Sequence, residues 1–318
     1  MTMTIEQTPK LALGTWAWGD AGGDDYFGGN TKTEVNLRPV VDAAMRSGLN
    51  FWDTAYAYGS GASEKILGNL LQAYKRDEYV LSTKFTPAMA SDSDTAMTDM
   101  LAGSLKRLHT DYVDLYWIHN PTDVEKWTPQ LIPLVKSGHI KRVGVSNHNL
   151  AQIKRANEIL GEAGIQVSAV QNHFSLLYRS SEKAGILDYC QQHNITFFSY
   201  MVLEQGVLTG KYNTANPLPE GSQRAKNYNP QLPKLEKLTA ALTEIGTKYD
   251  ASAADIATAW AIQKGTVPII GVTKAKYIAD EQRAIKCQLS ADEMARLETL
   301  ANETGVDTRG FWEKPMTD

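Results

Sequence analysis

The sequence predicts an α/β protein folded as a closed (β/α)8 TIM barrel, and three observations carry that expectation. Short apolar runs rich in β-branched and aromatic residues alternate with amphipathic stretches of helical length. Residues that tolerate the left-handed conformation stand at the joints between them, where a helix must end. Eight such runs fall within roughly 240 residues, close to the span of about 250 typical of that barrel.

The runs lie at 49–55, 79–84, 112–119, 142–147, 166–172, 195–200 and 267–270, with a weaker one at 284–287. Between them, 36–47, 63–74, 94–108 and 150–160 repeat apolar residues at helical spacing, so each has one face to bury. Gly48, Gly138, Gly164, Asn194 and Gly265 punctuate the passage from helix to strand. Ser290 followed by Glu293 forms a capping box that opens a last helix over 291–301. The polar, proline-containing stretch 213–233 reads as a functional loop of the kind that covers a site. A doubly wound sheet would carry a G-x-G-x-x-G turn after its first strand. Here the run at 49–55 leads instead through Asp53-Thr54-Ala55-Tyr56-Ala57-Tyr58, which favours the barrel. No linker separates domains, so residues 1–318 are expected as one barrel domain, with a core of 10–302 and a C-terminal tail of 303–318.

Composition narrows the function. The 318 residues are 42% hydrophobic and 21% charged, with a formal net charge of −4, which gives no footprint of a nucleic-acid binder. Cys190 and Cys287 are too few for a disulfide framework or a multi-cysteine metal site. The segment MTMTIEQTPK lacks the apolar core of a signal peptide, and no run approaches the length of a membrane span. A cytoplasmic protein without membrane, nucleic-acid or metal partners is expected; oligomeric state is not legible.

In a parallel barrel the C-terminal ends of all strands form one rim, where such enzymes do their chemistry. Several runs end there in functional groups: Asp53, Lys84, His119, Ser146–Asn147, Gln171–Asn172 and Tyr200. Asp53, Lys84 and His119 lie on sequential strands, about 4.8 Å apart if paired, and Tyr58 follows Asp53 by five residues. A lysine beside a tyrosine favours the phenolate and lowers its pKa, while an aspartate keeps the lysine charged and in place. A histidine at the same point can orient a carbonyl. The set suits proton donation to a carbonyl oxygen that gains negative charge.

These residues resemble the aldo-keto reductases. The similarity runs in order through FWDTAYAYGSGASEKILG (51–68), LSTKF (81–85), YVDLYWIHNP (112–121), VGVSNH (143–148), VQNHFSLL (170–177) and SYMVLEQGVLTGKY (199–212). LALGTWAWG (11–19) is similar to the family's N-terminal β-hairpin, which would cover the bottom of the barrel. The resemblance implies an NADPH-dependent oxidoreductase that reduces aldehydes or ketones, reversibly, with long active-site loops. It places the catalytic tetrad on Asp53, Tyr58, Lys84 and His119, with Tyr58 as the proton donor. Ser146, Asn147 and Gln171 would hold the nicotinamide amide, and Tyr200 would stack on its ring. Leu203, Gln205, Gly206 and Lys211 fall on the loop approaching the pyrophosphate.

At the adenosine end, Gly271 and Lys274 are implied contacts. Asp280 and Glu281 add negative charge against a 2′-phosphate, so NADH acceptance is part of the expectation. Trp18, Phe85, Asn120 and Phe311–Trp312 are candidate pocket walls for a small carbonyl or alcohol substrate. The same resemblance allows a second role, a cofactor-bound regulatory subunit with little turnover.

Overall fold

The computed structural model describes residues 9–19 and 32–316. Eight strands, β1 (Ala12–Gly14), β2 (Phe51–Asp53), β3 (Val80–Phe85), β4 (Leu115–Ile118), β5 (Val143–Ser146), β6 (Val167–His173), β7 (Thr196–Tyr200) and β8 (Val267–Gly271), pair in parallel and in chain order. β1 pairs with both β2 and β8, which closes the barrel.

Two expectations change. The segment at 11–19 contains no hairpin below the barrel: Ala12–Gly14 is its first strand, parallel to both neighbours. Three residues are too few to display a period of two. The run at 284–287 is the end of the helix Lys276–Ala284 and the turn after it, where Lys286 and Cys287 bond back to Arg283. Ala284 and Cys287 are both buried there, and two apolar residues three apart suit a helical turn as well as a strand.

Strand alternation builds the site. Ala12, Phe51, Leu115, Trp117, Ala169, Phe198 and Val267 form one apolar cluster inside the barrel, with ring centroids 5.2 Å apart for Phe51–Phe198 and 5.4 Å for Trp117–Phe198. Two residues further along a strand the side chain returns to the same face. Phe51 is thus followed by Asp53, Trp117 by His119, Ala169 by Gln171 and Phe198 by Tyr200, so the lining turns from apolar to polar at the rim.

The outward residues meet the helices in the main core. The helix Glu34–Arg46 supplies Leu37, Val40, Val41 and Ala44 from one stripe. Burying each large aliphatic side chain contributes about 1.5–3 kcal/mol. Gly48, Gly138, Gly164, Asn194 and Gly265 all have positive φ, and Ser290 and Glu293 make the reciprocal cap of the helix Ala291–Glu303. The stretch 213–233 is only partly loop. It holds the helix Gln223–Tyr228 and the start of Leu232–Lys248. Leu218, Ala225 and Tyr228 pack it onto Val207 in a small satellite core, laying it over the loop that follows β7.

Candidate active site

The rim brings Asp53, Tyr58, Lys84 and His119 together. Tyr58 opens a tight turn in which Gly59, Ser60 and Gly61 all have positive φ, at 59°, 51° and 93°. Gly61 answers two demands: its φ is left-handed, and a Cβ there would lie 2.6 Å from Arg107 Nε. The turn returns Tyr58 over the barrel mouth. Lys84 Nζ donates to Asp53 Oδ2 at 2.5 Å, to the Thr54 carbonyl at 2.8 Å and to the Tyr58 oxygen at 3.2 Å. Asp53 also accepts from Ser82 Oγ at 2.5 Å and, from across the barrel, from Gln171 Nε2 at 3.2 Å.

The electrostatics depart from the expectation in one respect. Burial alone would discharge Lys84, but Asp53 and Tyr58 reverse that and raise its pKa. For Tyr58, burial raises the pKa and outweighs the lowering by Lys84, and Asp53 also raises it. The lysine acts in the expected direction without winning. The phenol therefore keeps its proton at neutral pH. Burial and the Lys84 charge push His119 down to about 3, leaving a neutral imidazole. Its Nδ1 lies 3.1 Å from Thr86 Oγ1, and its ring stands edge-on to Tyr58 at 6.0 Å.

Beside this group, Ser146, the last residue of β5, pairs in register with Gln171, two residues before the end of β6. Asn147, in the left-handed region at φ 62°, donates to the His119 carbonyl at 2.9 Å. The Tyr200 hydroxyl lies 2.6 Å from Asn147 Oδ1. After β7, Glu204, Gln205 and Gly206 have successive positive φ and curl the chain that carries Leu203. Lys211 is exposed beyond that curl, and Gly271 and Lys274 are exposed at and after the end of β8.

Several residues here escaped the sequence reading. Trp16 packs against Tyr58 at 6.3 Å and edge-on against Trp312 at 5.7 Å. Trp18 and Phe85, the expected pocket walls, are instead core residues: Trp18 donates to the Val272 carbonyl at 2.7 Å and Phe85 packs on Trp127. His173, Glu204 and Glu313 form a buried charged cluster beneath Tyr200. An isolated acidic residue inside the apolar stretch 199–208 was the available signal for Glu204. Arg224 reaches from the satellite core to the Gln205 carbonyl at 3.3 Å.

Comparison with known proteins decides the family. A model described as the aldo/keto reductase family matches residues 10–302. The chain belongs to the aldo/keto reductase family. It is 31% identical to a chloroplastic pyridoxal reductase of Arabidopsis thaliana, across 92% of this chain and 83% of the relative. It is also 31% identical to the NADP(+) aldo-keto reductase yakc of Schizosaccharomyces pombe, across 82% and 81%. An aldo/keto reductase from Klebsiella pneumoniae, solved with NADP and acetate, superposes with a TM-score of 0.71 at 25% identity, covering 93% of each chain. The glycerol dehydrogenase of Gluconobacter oxydans superposes with a TM-score of 0.78 at 26% identity, covering 94% of each.

The donor set of this aldo/keto reductase fits a nicotinamide dinucleotide. Ser146, Asn147 and Gln171 offer a hydroxyl and two carboxamides, with donors and acceptors for an amide. Arg224 Nε is buried without a hydrogen-bond partner among the described residues, beside the curled loop, where an anion would satisfy it. The expected repulsion of a 2′-phosphate is also weaker than the sequence suggests. Burial raises the carboxyl of Glu281 well above its ordinary range, which disfavours its charged form, and Asp280 is paired with Arg283 at 2.5 Å. No helix among the described residues is long and apolar enough to cross a membrane.

Proposed function

We propose that this aldo/keto reductase reduces an aldehyde or ketone to the alcohol, reversibly, with NADPH preferred over NADH. One observation carries the reading. All three Lys84 protons have acceptors, one being the Tyr58 oxygen. The Tyr58 oxygen accepts from the ammonium, and its own proton finds no acceptor among the described residues, so it is available to a substrate oxygen in the cleft.

The chemistry expected of the cofactor is hydride delivery to the carbonyl carbon. As charge builds on the carbonyl oxygen, Tyr58 gives up its proton, and the Lys84 ammonium, already bonded to the phenol oxygen, stabilises the phenolate left behind. Asp53 keeps that ammonium charged and immobile. His119, held neutral, contributes a hydrogen-bonding nitrogen without competing as an acid. In the reverse direction the Tyr58 phenolate removes the proton of the alcohol. Ser146, Asn147 and Gln171 would hold the nicotinamide amide, Tyr200 its ring, and Gly206, Lys211 and Arg224 the pyrophosphate. Lys274 would face the 2′-phosphate, beside a Glu281 whose burial disfavours its charge.

The reading is tested by following loss of reduced-nicotinamide absorbance with NADPH and NADH in parallel, against small aliphatic, aromatic and dicarbonyl substrates. Turnover with NADPH exceeding that with NADH is expected. Binding of NADPH without reduction of any carbonyl would overturn the enzyme assignment in favour of a binding role.

A further inference from the structure

We propose that Glu313 sets the preference of the site for the oxidation state of its cofactor: its carboxylate, held on the Tyr200 hydroxyl by the C-terminal tail, favours the positively charged oxidised nicotinamide over the neutral reduced one. The inference rests on the reading of Tyr200 as the surface on which the nicotinamide stacks.

Glu313 is 8% exposed although it lies near the end of the chain. Its carboxylate accepts from the Tyr200 hydroxyl at 2.6 Å and from the Gly310 amide at 2.9 Å, and lies 3.0 Å from His173 Nδ1. The tail that presents it is fixed on both sides. Thr308 Oγ1 donates to Glu204 at 2.9 Å, Trp312 packs on Trp16, and Met316 is buried against Asn172. The charge is thus one hydrogen bond from Tyr200 and is not a solvated terminal carboxylate.

The neighbouring charges leave a net negative cluster. His173 lies between Glu204, at 2.9 Å, and Glu313, and its ring is stacked between Tyr178 and Tyr200. Burial opposes its protonation, but the two carboxylates hold its pKa at about 10, so it is a cation at neutral pH. Two carboxylates against one imidazolium leave one excess negative charge in a water-poor site, with Glu313 the member touching Tyr200. Of the tail's cations, Arg309 pairs with Asp307 at 3.5 Å and Lys314 is exposed to solvent; Lys84 in the barrel mouth pairs with Asp53. In low dielectric this excess acts on the charge difference between the two cofactor forms. Favouring the oxidised form strengthens the bound cofactor as a reductant, the direction carbonyl reduction needs.

The test is fluorescence titration of the full-length protein with NADPH and with NADP+, comparing wild type with Glu313→Gln and Glu313→Asp. The glutamine variant keeps an acceptor for Tyr200 and loses the charge. Its ratio of the NADP+ to the NADPH dissociation constant is expected to rise on the order of tenfold, while the aspartate variant stays near wild type. A purely structural role would weaken both nucleotides together and leave the ratio unchanged. If Glu313→Gln does not fold, Glu313→Ala is read in the same way. Both nucleotides binding with the ratio within twofold of wild type overturns this inference alone. Wild-type protein that binds neither nucleotide overturns the cofactor reading and this inference with it.

Discussion

Lys84 has three ammonium protons and three acceptors, Asp53, the Thr54 carbonyl and the Tyr58 oxygen, and that saturation fixes a charge in a fully buried position. Lys84→Met should therefore act twice. It leaves the Asp53 carboxylate buried without its cation, a loss of about 3–5 kcal/mol typical of breaking a buried pair, and it removes the group that stabilises the Tyr58 phenolate. A chemical-denaturation curve and a carbonyl-reduction assay on the same preparation check both effects; wild-type stability with wild-type turnover would contradict them. That Asp53, Tyr58, Lys84 and His119 would meet was legible because Asp53, Lys84 and His119 fall at or next to strand ends and Tyr58 in the turn just beyond one, and the parallel barrel gathers those ends on one rim. The direction of the Tyr58 pKa was not, because burial decides it and sequence carries no measure of burial. Trp16 and Trp18 show the same limit: two residues apart, one packs on Tyr58 and the other in the core, because both lie in the turn after β1, where strand alternation no longer assigns a face.

The barrel strands succeed because alternation gives each an apolar inner residue followed by a polar one at the rim. Gly144 is where that packing is tightest. A Cβ there would sit 2.2 Å from the Trp117 ring inside the barrel, and Gly144 pairs directly with Trp117 across β4 and β5. Gly144→Ala should destabilise the protein by about 1–3 kcal/mol, as overpacking does, and displace the Trp117 ring. Urea unfolding measures the first effect and the tryptophan circular-dichroism band the second; an unchanged midpoint would show that the barrel interior yields more easily than its contacts suggest. Helix boundaries were legible from chemistry, as the reciprocal bonds of Ser290 and Glu293 illustrate. β1 was not, since its alternation is too short to register. Nor was the helical end at Ala284–Cys287, where apolar content alone does not distinguish a turn from a strand.

For the whole molecule, the buried histidines give stability a limb on each side of neutrality. His173 is raised from 6.5 to about 10, so its contribution is complete below pH 6.5 and is lost as the pH rises towards 10. His119 and His148 are lowered to about 3 and about 4. The unfolded chain takes up their protons as the pH falls below 6.5, and stability declines there as well. His173→Asn should flatten the alkaline limb and leave the acid limb in place, as read from unfolding midpoints across pH; an alkaline limb identical to wild type would remove His173 from the account. The His173 contribution was not visible in the sequence, because Glu204 reaches His173 from the loop after β7 and Glu313 from the tail folded back across the rim.

The central claim is that Tyr58 hands its proton to a carbonyl oxygen while Lys84 stabilises what remains. The most direct measurement is turnover of Tyr58→Phe with NADPH and a reducible aldehyde, taken together with the NADPH dissociation constant of the same variant. The account predicts that kcat falls by roughly 10²–10⁴ while NADPH binding stays within about twofold of wild type, since phenylalanine keeps the ring and removes only the hydroxyl. Carbonyl reduction by Tyr58→Phe at the wild-type rate would contradict it.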